Sequence, residues 1–558
     1  MLRRFGRWNR STNGNFGIPV RVLTLGILLI AGAGCSPQTL TTAQAQEEAP
    51  QPVPLEEEEP GPPPVDPPLP AGVEELEPPF RRRLDLPEFP PDVEWLNTGG
   101  PLRMRDLKGK FVLLDFWTYC CINCIHVIPE LRKLEKAYPN ELVVIGVHSA
   151  KFDAEKDSKN ISEAILRYDI EHPVINDAEH RIWNMLGVSS WPTMLLIDPE
   201  GKAVWGKPGE TKFEVLDALL KDALPYYRAK GLLDERPIRF DLLAHRRPPS
   251  ALRFPGKVLA DETSNRLFIT DSNHHRIVVA DMEGKLLEVI GNGKIGRDDG
   301  DYISATFNRP QGLGLRGDTL WIADTENHSI RAVDLKAKRV STIAGTGVQG
   351  QSGFPGLERL DPLADLPERW VGRPLETGLG SPWALYPRGG DLFIAMAGPH
   401  QIWKLKLDGS EVGPYAGNGR EDIVDGPLLP QQPYQKGFSS FAQPSGLAAD
   451  ADWLYVADSE GSSIRAVPFD AAKDVKTVVG TATLPYGRLF EFGDVDGRGE
   501  EVRLQHCLGV ALNEGKLYVA DTYNNKIKVI DLATQECRTL VGTGRPGLGD
   551  EPAEFDEP

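Results

Sequence analysis

Between Lys110 and Trp205 the spacing of apolar residues changes period several times. "KFVLLDFW" is a continuous apolar run, the pattern of a strand covered on both faces, and "LVVIGVHS" repeats it. "IPELRKLEKAY", "ISEAILRYDI" and "HRIWNMLGV" instead place their apolar residues three and four apart and predict helices. "TMLLIDPEGKAVW" predicts two strands around a Pro-Glu-Gly turn. Strands alternating with helices imply a layered α/β unit.

After about Glu235 the helical period fades and one alternating pattern recurs five times. "LFITDSNHHRIVVAD" at Leu267 is followed by "LWIADTENHSIRAVDL" at Leu320, "LFIAMAGPHQIWKLKL" at Leu392, "LYVADSEGSSIRAVPF" at Leu454 and "LYVADTYNNKIKVIDL" at Leu517. Turns of the type Pro310-Gln311-Gly312-Leu313 precede the copies, and glycine pairs such as those at Gly291 and Gly345 follow them. One strand pair cannot bury both of its faces, so units recurring roughly 50 to 70 residues apart imply blades stacked around an axis. "AEFDEP" at Ala553 matches "ATFNRP" at Ala305, where a new repeat opens, so the pattern leaves five or six blades open.

Composition adds a leader and a stalk. Arg3, Arg4, Arg7, Arg10 and Arg21 precede "VLTLGILLIAGAG", an apolar run of signal-peptide length. "GAGC" makes Cys35 a candidate lipidation site, with the "AQA" at Ala43 to Ala45 as a competing cleavage site. An extracytoplasmic location follows, with a lipid or signal anchor in the membrane. From Glu47 to Pro91 proline and glutamate dominate, which favours an extended spacer over a packed core. The expected layout is a signal at 1–35, a stalk at 36–92, an α/β domain at 93–232 and a propeller at 233–558. The segment 237–254, "PIRFDLLAHRRPPSALRF", is a candidate closing strand for the propeller. The net charge of −18, with no long basic run, argues against nucleic acid as a partner.

Three of the six cysteines fall within "WTYCCINCIHVIPEL", as Cys120, Cys121 and Cys124. Zinc favours four ligands in separated pairs, and no second pair follows. A structural disulfide between residues three apart would close a tiny loop and constrain little chain entropy. A redox pair accounts for more of the pattern. After a buried strand, at the start of a helix, Cys121 meets free N–H groups and the positive end of the helix dipole, which favour thiolate. Cys124, one turn on, is placed to resolve a mixed disulfide. Cys120 is read as a free thiol lining the motif. No cofactor or metal is expected.

"LLDFWTYCCINCIHVIPEL" resembles the strand-motif-helix segment of the thioredoxin family, and the coarse order is similar to redoxins of the TlpA and ResA type. The resemblance implies that Asp115 is a buried acid relaying a proton to Cys124, that Trp117 belongs to the site and that Pro129 kinks the helix. It further implies that Pro192, in "GVSSWPTMLLID", is cis and shapes a groove for a substrate strand. Ile122-Asn123 replaces the frequent Gly-Pro between the cysteines. The blades resemble NHL repeats, and the combination resembles the family of NHL repeat-containing protein 2. The implied fold class is a thioredoxin-like α/β domain followed by an all-β NHL-type propeller. The implied activity is thiol-disulfide exchange with a protein substrate, the propeller binding a partner protein. A scaffold with little turnover and a thiol peroxidase are the alternatives.

Other residues invite simpler roles. Asp271, Asp324, Asp458 and Asp521 end the same strand in four repeats and are expected to cap local turns, as are His274, His275 and His328. His126 and His148 lie near the motif without the placement of a catalytic base, and Cys507 and Cys537 are expected to be unpaired thiols.

Overall fold

The computed structural model describes residues 77–246, 249–361, 363–550 and 552–558. Cys35, the leader and most of the stalk lie outside them. Among the described residues no helix is long and apolar enough to cross a membrane.

The α/β domain is built on β1 (Leu84–Asp85), β2 (Glu94–Leu96), β3 (Phe111–Trp117), β4 (Leu142–His148), β5 (Val174–Asn176), β6 (Thr193–Ile197) and β7 (Lys202–Pro208), in the order β1-β7-β6-β3-β4-β5-β2. Helices α1 (Ile122–Ala137), α2 (Ser158–Arg167), α3 (Arg181–Met185) and α4 (Phe213–Ala229) accompany it. Central β3 runs parallel to β4 and antiparallel to β6, and all seven of its residues are buried. Side chains alternate faces along a strand. Phe111 and Leu113 therefore pack with Val127 and Leu131 of α1 and Leu220 of α4, while Val112, Leu114 and Phe116 meet Ile182 and Trp183 of α3. The same alternation puts Asp115 on the face of β3 that carries α1.

Two boundaries differ from the compositional reading. Leu84–Asp85 pairs with Lys202 and Ala203 at the sheet edge, and Phe89 packs edge-on to Trp95 at 5.6 Å, although proline and glutamate had put this stretch in the stalk. Its alternating Leu84, Leu86 and Phe89 were outweighed by the average composition. Among its described residues the candidate closing strand forms no strand in a blade. Leu243 donates its N–H to Asn97 Oδ1 at 2.8 Å and packs with the α/β core, as does Phe240.

The remainder is a five-blade β-propeller of four- and five-stranded antiparallel sheets. The innermost strands are Pro255–Asp261, Leu313–Arg316, Pro382–Arg388, Pro444–Ala449 and Gly509–Asn513. Apolar clusters join the first blade to the second, the second to the third, the third to the fourth and the fourth to the fifth.

The repeated aspartates do not cap their local turns through backbone N–H groups as expected. Asp271, Asp324, Asp458 and Asp521 each accept the N–H of a residue 16 to 18 positions upstream, Arg253, Asn308, Ala442 and Gln505, at 2.7 to 2.8 Å. Asp324 and Asp458 also hold buried Arg331 and Arg465 at 2.9 and 3.2 Å. In the third blade Met396 and Trp403 stand in these places and pack together in an apolar cluster.

A second contact links successive blades. His275, His328, His400, Ser462 and Asn525 are left-handed, with φ of 45° to 56°. The His275 Nδ1 accepts the N–H of Arg309, His328 Nδ1 that of Ser381 and His400 Nδ1 that of Gln443, at 3.1 to 3.2 Å. Ser462 Oγ and Asn525 Oδ1 do the same for His506 and Glu557 at 3.2 and 2.9 Å. His275 and His328 are therefore clasps between consecutive repeats, a role that pairs each with a residue of the following repeat and so escapes local reading. An imidazole accepts only while neutral.

Burial, and then neighbouring Arg309, lower the His275 pKa to about 4. The unfolded chain, near 6.5, binds the proton more readily, so this contribution is complete above about pH 6.5 and is lost as pH falls toward 4. His275→Asn, which copies Asn525, keeps the acceptor at every pH. Relative to the wild type it is expected to gain about 2 kcal/mol between pH 7 and pH 4 in urea unfolding; parallel stability curves would contradict the clasp.

Candidate active site

The dithiol sits where β3 gives way to α1. Cys121 is the N-cap of α1; its N–H donates to the Thr118 carbonyl at 3.3 Å, and its carbonyl accepts from Cys124 and Ile125 at 3.1 Å. Cys120, Cys121 and Cys124 are free thiols, 3%, 8% and 0% exposed. Burial and a hydrogen bond with Cys121 push the Cys124 thiol well above its ordinary range. Asp115 lies below it: it is 2% exposed, its Oδ1 has no partner, and burial raises its pKa to about 7, against the pull of His172.

The other expected residues gather here. Trp117 is buried, with its indole edge-on to His148 at 5.0 Å, and Tyr119 stacks on His148 at 5.5 Å. Burial depresses His148 to about 3 and keeps it neutral. The Trp191-Pro192 bond is cis, and Trp191 packs against the cluster containing Cys121 and Cys124. Pro129 lies inside α1. Cys507 and Cys537 are buried free thiols in the cluster between the fourth and fifth blades.

Glu155 was missed because it lies 35 residues past Cys120, in the loop after β4. It accepts from Cys120 N, Lys151 N, Phe152 N and Thr118 Oγ1 at 2.7 to 2.9 Å, binding the active-site loop to its neighbour. Burial, and then Glu155, push the Cys120 thiol well up. Cys120 also borders a cavity of about 880 Å³ between the redox helix and the propeller axis.

Sequence reasoning also missed the surface that covers the dithiol. The five residues receiving the clasps are left-handed and turn their side chains to the α/β domain. Arg309 pairs with Asp169 at 2.7 Å, and Ser381 Oγ lies 2.7 Å from His126 Nε2. Gln443 bonds the backbone on either side of Cys121, His506 lies 5.4 Å from the Phe152 ring, and Glu557 accepts from Tyr119 and Arg167 at 3.1 and 3.0 Å. Four of the five directly precede a proline, at Pro310, Pro382, Pro444 and Pro558, the one signal the sequence carried. His126 is thus a docking residue, held also by Glu210 at 2.8 Å and Gln349 at 2.7 Å. Lys151 adds a buried ion pair with Glu421 at 2.9 Å and a contact with Glu460. Burial, and Glu421 after it, push the Glu460 carboxyl up against the pull of Lys151.

A thioredoxin-like family model matches residues 109–203, and an NHL-repeat model matches 504–530. The chain is thus a thioredoxin-like domain joined to an NHL-repeat propeller. NHL repeat-containing protein 2 of Homo sapiens is 44% identical over 486 residues, covering 83% of this chain and 65% of its own length. The Bos taurus protein is 43% identical over 504 residues, covering 86% and 67%. The chain belongs to the NHL repeat-containing protein 2 family, and it spans about two thirds of the length of these relatives. Over the thioredoxin-like part, thiol-disulfide oxidoreductase ResA of Bacillus anthracis is 32% identical over 127 residues, 23% of this chain and 71% of that protein.

Asp115 can take the Cys124 proton only as a carboxylate. The release of a mixed disulfide is therefore expected to speed up as pH rises through about 7, and Asp115→Asn to flatten that rise and slow release about tenfold or more at pH 8. The raised pKa also costs folding stability as pH rises above the unfolded value of 3.8, so Asp115→Asn should melt higher than wild type at pH 8. Stopped-flow thiol release and thermal melts check both; an unchanged pH profile would remove Asp115 from the mechanism.

Proposed function

We propose that the protein is a thiol-disulfide oxidoreductase working through Cys121 and Cys124. The observation that carries this reading is Cys121 at the α1 N-cap, its carbonyl accepting the Cys124 N–H at 3.1 Å, with buried Asp115, whose Oδ1 has no partner, acting on Cys124. In the reducing direction, Cys121 thiolate attacks a substrate disulfide. A mixed disulfide forms and one substrate sulfur leaves as thiolate. Cys124 passes its proton to Asp115 and attacks the Cys121 sulfur, which releases the second substrate thiolate and leaves a Cys121–Cys124 disulfide. Two electrons pass to the substrate, and the reverse sequence oxidises a dithiol. Trp191 and cis-Pro192 are the backbone a substrate strand would lie along.

One observation favours a second reading, a scaffold with little turnover: Cys121 is 8% exposed beneath the propeller. The five residues receiving the clasps are occupied by the chain's own thioredoxin-like domain, so a partner protein would use another propeller surface. We infer an extracytoplasmic site of action, supported by the arginine-flanked apolar run at 22–34.

Cys124→Ser removes the resolving thiol, and a substrate protein should then remain attached to Cys121 on non-reducing gels. The adduct should vanish in Cys121→Ser/Cys124→Ser. Absence of any Cys121 adduct, with no reduction of a model protein disulfide by wild type, would leave the scaffold reading.

A further inference from the structure

Gln443 opens the fourth blade, 321 residues along the chain from Ile122, and is 2% exposed. Its Oε1 accepts the Ile122 N–H and its Nε2 donates to the Cys120 carbonyl, both at 2.8 Å. One carboxamide thus holds the two peptide groups that flank Cys121. The Ile122 N–H is the first donor of α1, one of those a helix start leaves free and whose partial positive charge contributes to the field at the Cys121 sulfur. The backbone of Gln443 is itself fixed. Its N–H donates to His400 Nδ1 at 3.1 Å, and its carbonyl accepts from Ser459 Oγ and Ser445 Oγ at 2.7 and 2.9 Å. A side chain on so constrained a backbone can impose a geometry rather than adapt to one.

We propose that Gln443 is a positioning residue by which the propeller sets the redox equilibrium of the Cys121–Cys124 pair. It pairs the first free N–H of the helix start beside the Cys121 sulfur, damping the positive field there, and orients the Cys120–Cys121–Ile122 backbone. The proposal rests on the redox reading above. It deepens that reading by making the propeller part of the redox unit, so that any loosening of the dock changes the tendency of the pair to be reduced.

Two substitutions separate this role from simple docking. Gln443→Leu keeps the bulk and leaves the Ile122 N–H unpaired at the helix start, where its partial positive charge stabilises the thiolate and favours the dithiol. Gln443→Glu keeps the acceptor, loses the donor to Cys120 and places negative charge beside the sulfur, which favours the disulfide. The full-length protein is equilibrated at pH 8 in glutathione buffers, in which oxidised glutathione plus the dithiol gives the disulfide plus two reduced glutathiones. The state of the Cys121–Cys124 peptide is read by differential alkylation and mass spectrometry, and thermal melts confirm folding. The equilibrium constant should move about threefold or more in opposite directions in the two variants, the size of a helix-terminus effect on one charge. Constants that stay at the wild-type value or move the same way overturn the role of Gln443 while leaving the redox reading intact. A wild-type pair that never oxidises at any glutathione ratio overturns both. Should Gln443→Leu not fold, the direction shown by Gln443→Glu decides.

Discussion

The structure depends on the burial of a helix start against the ring of residues receiving the clasps. The first turn of α1 carries unpaired N–H groups, and its flanking loop carries two thiols that water would otherwise reach. Gln443, Ser381, Arg309, His506 and Glu557 come from the repeated geometry of the propeller and meet this surface at five points. Removal from water raises the pKa of both Cys124 and Asp115.

The repeats make such a ring cheaply. A left-handed residue at the tip of each blade accepts the N–H of the residue that opens the next, so that second residue is also left-handed and points away from the propeller. The acceptor may be histidine, serine or asparagine, since each offers an atom at the same reach. The donor is a backbone N–H, so the side chain of the opening residue is unconstrained by the clasp. In this chain those side chains are an arginine, a serine, a glutamine, a histidine and a glutamate, each matched to a different feature of the thioredoxin-like domain. The conserved element of the repeat builds the frame, and the variable one carries the docking chemistry.

Much of this was legible locally. The apolar run of β3 and the cysteine spacing are readable because each depends on neighbours in sequence, and the alternation along β3 places Asp115 beneath α1; the strand-ending aspartates are recognisable by their recurrence alone. The hydrogen bonds of those aspartates were misread as local because their donors lie 16 to 18 residues upstream. Glu155 and Gln443 were invisible, since a glutamate in a loop and a glutamine before a proline acquire meaning only when folding brings them to Cys120 and Ile122. The sheet strand at Leu84 was hidden by proline-rich surroundings, a case of average composition masking a short alternating pattern.

The central claim is that the propeller covers the dithiol in the folded protein. It is tested most directly by labelling reduced full-length protein with iodoacetamide and, separately, with a maleimide carried on a long polyethylene glycol chain, following Cys121 by mass spectrometry. Relative to a denatured control, the bulky reagent should lag the small one by about tenfold or more, because it must wait for the domains to part. Equal relative rates for the two reagents would show that Cys121 faces open solvent and would contradict the account.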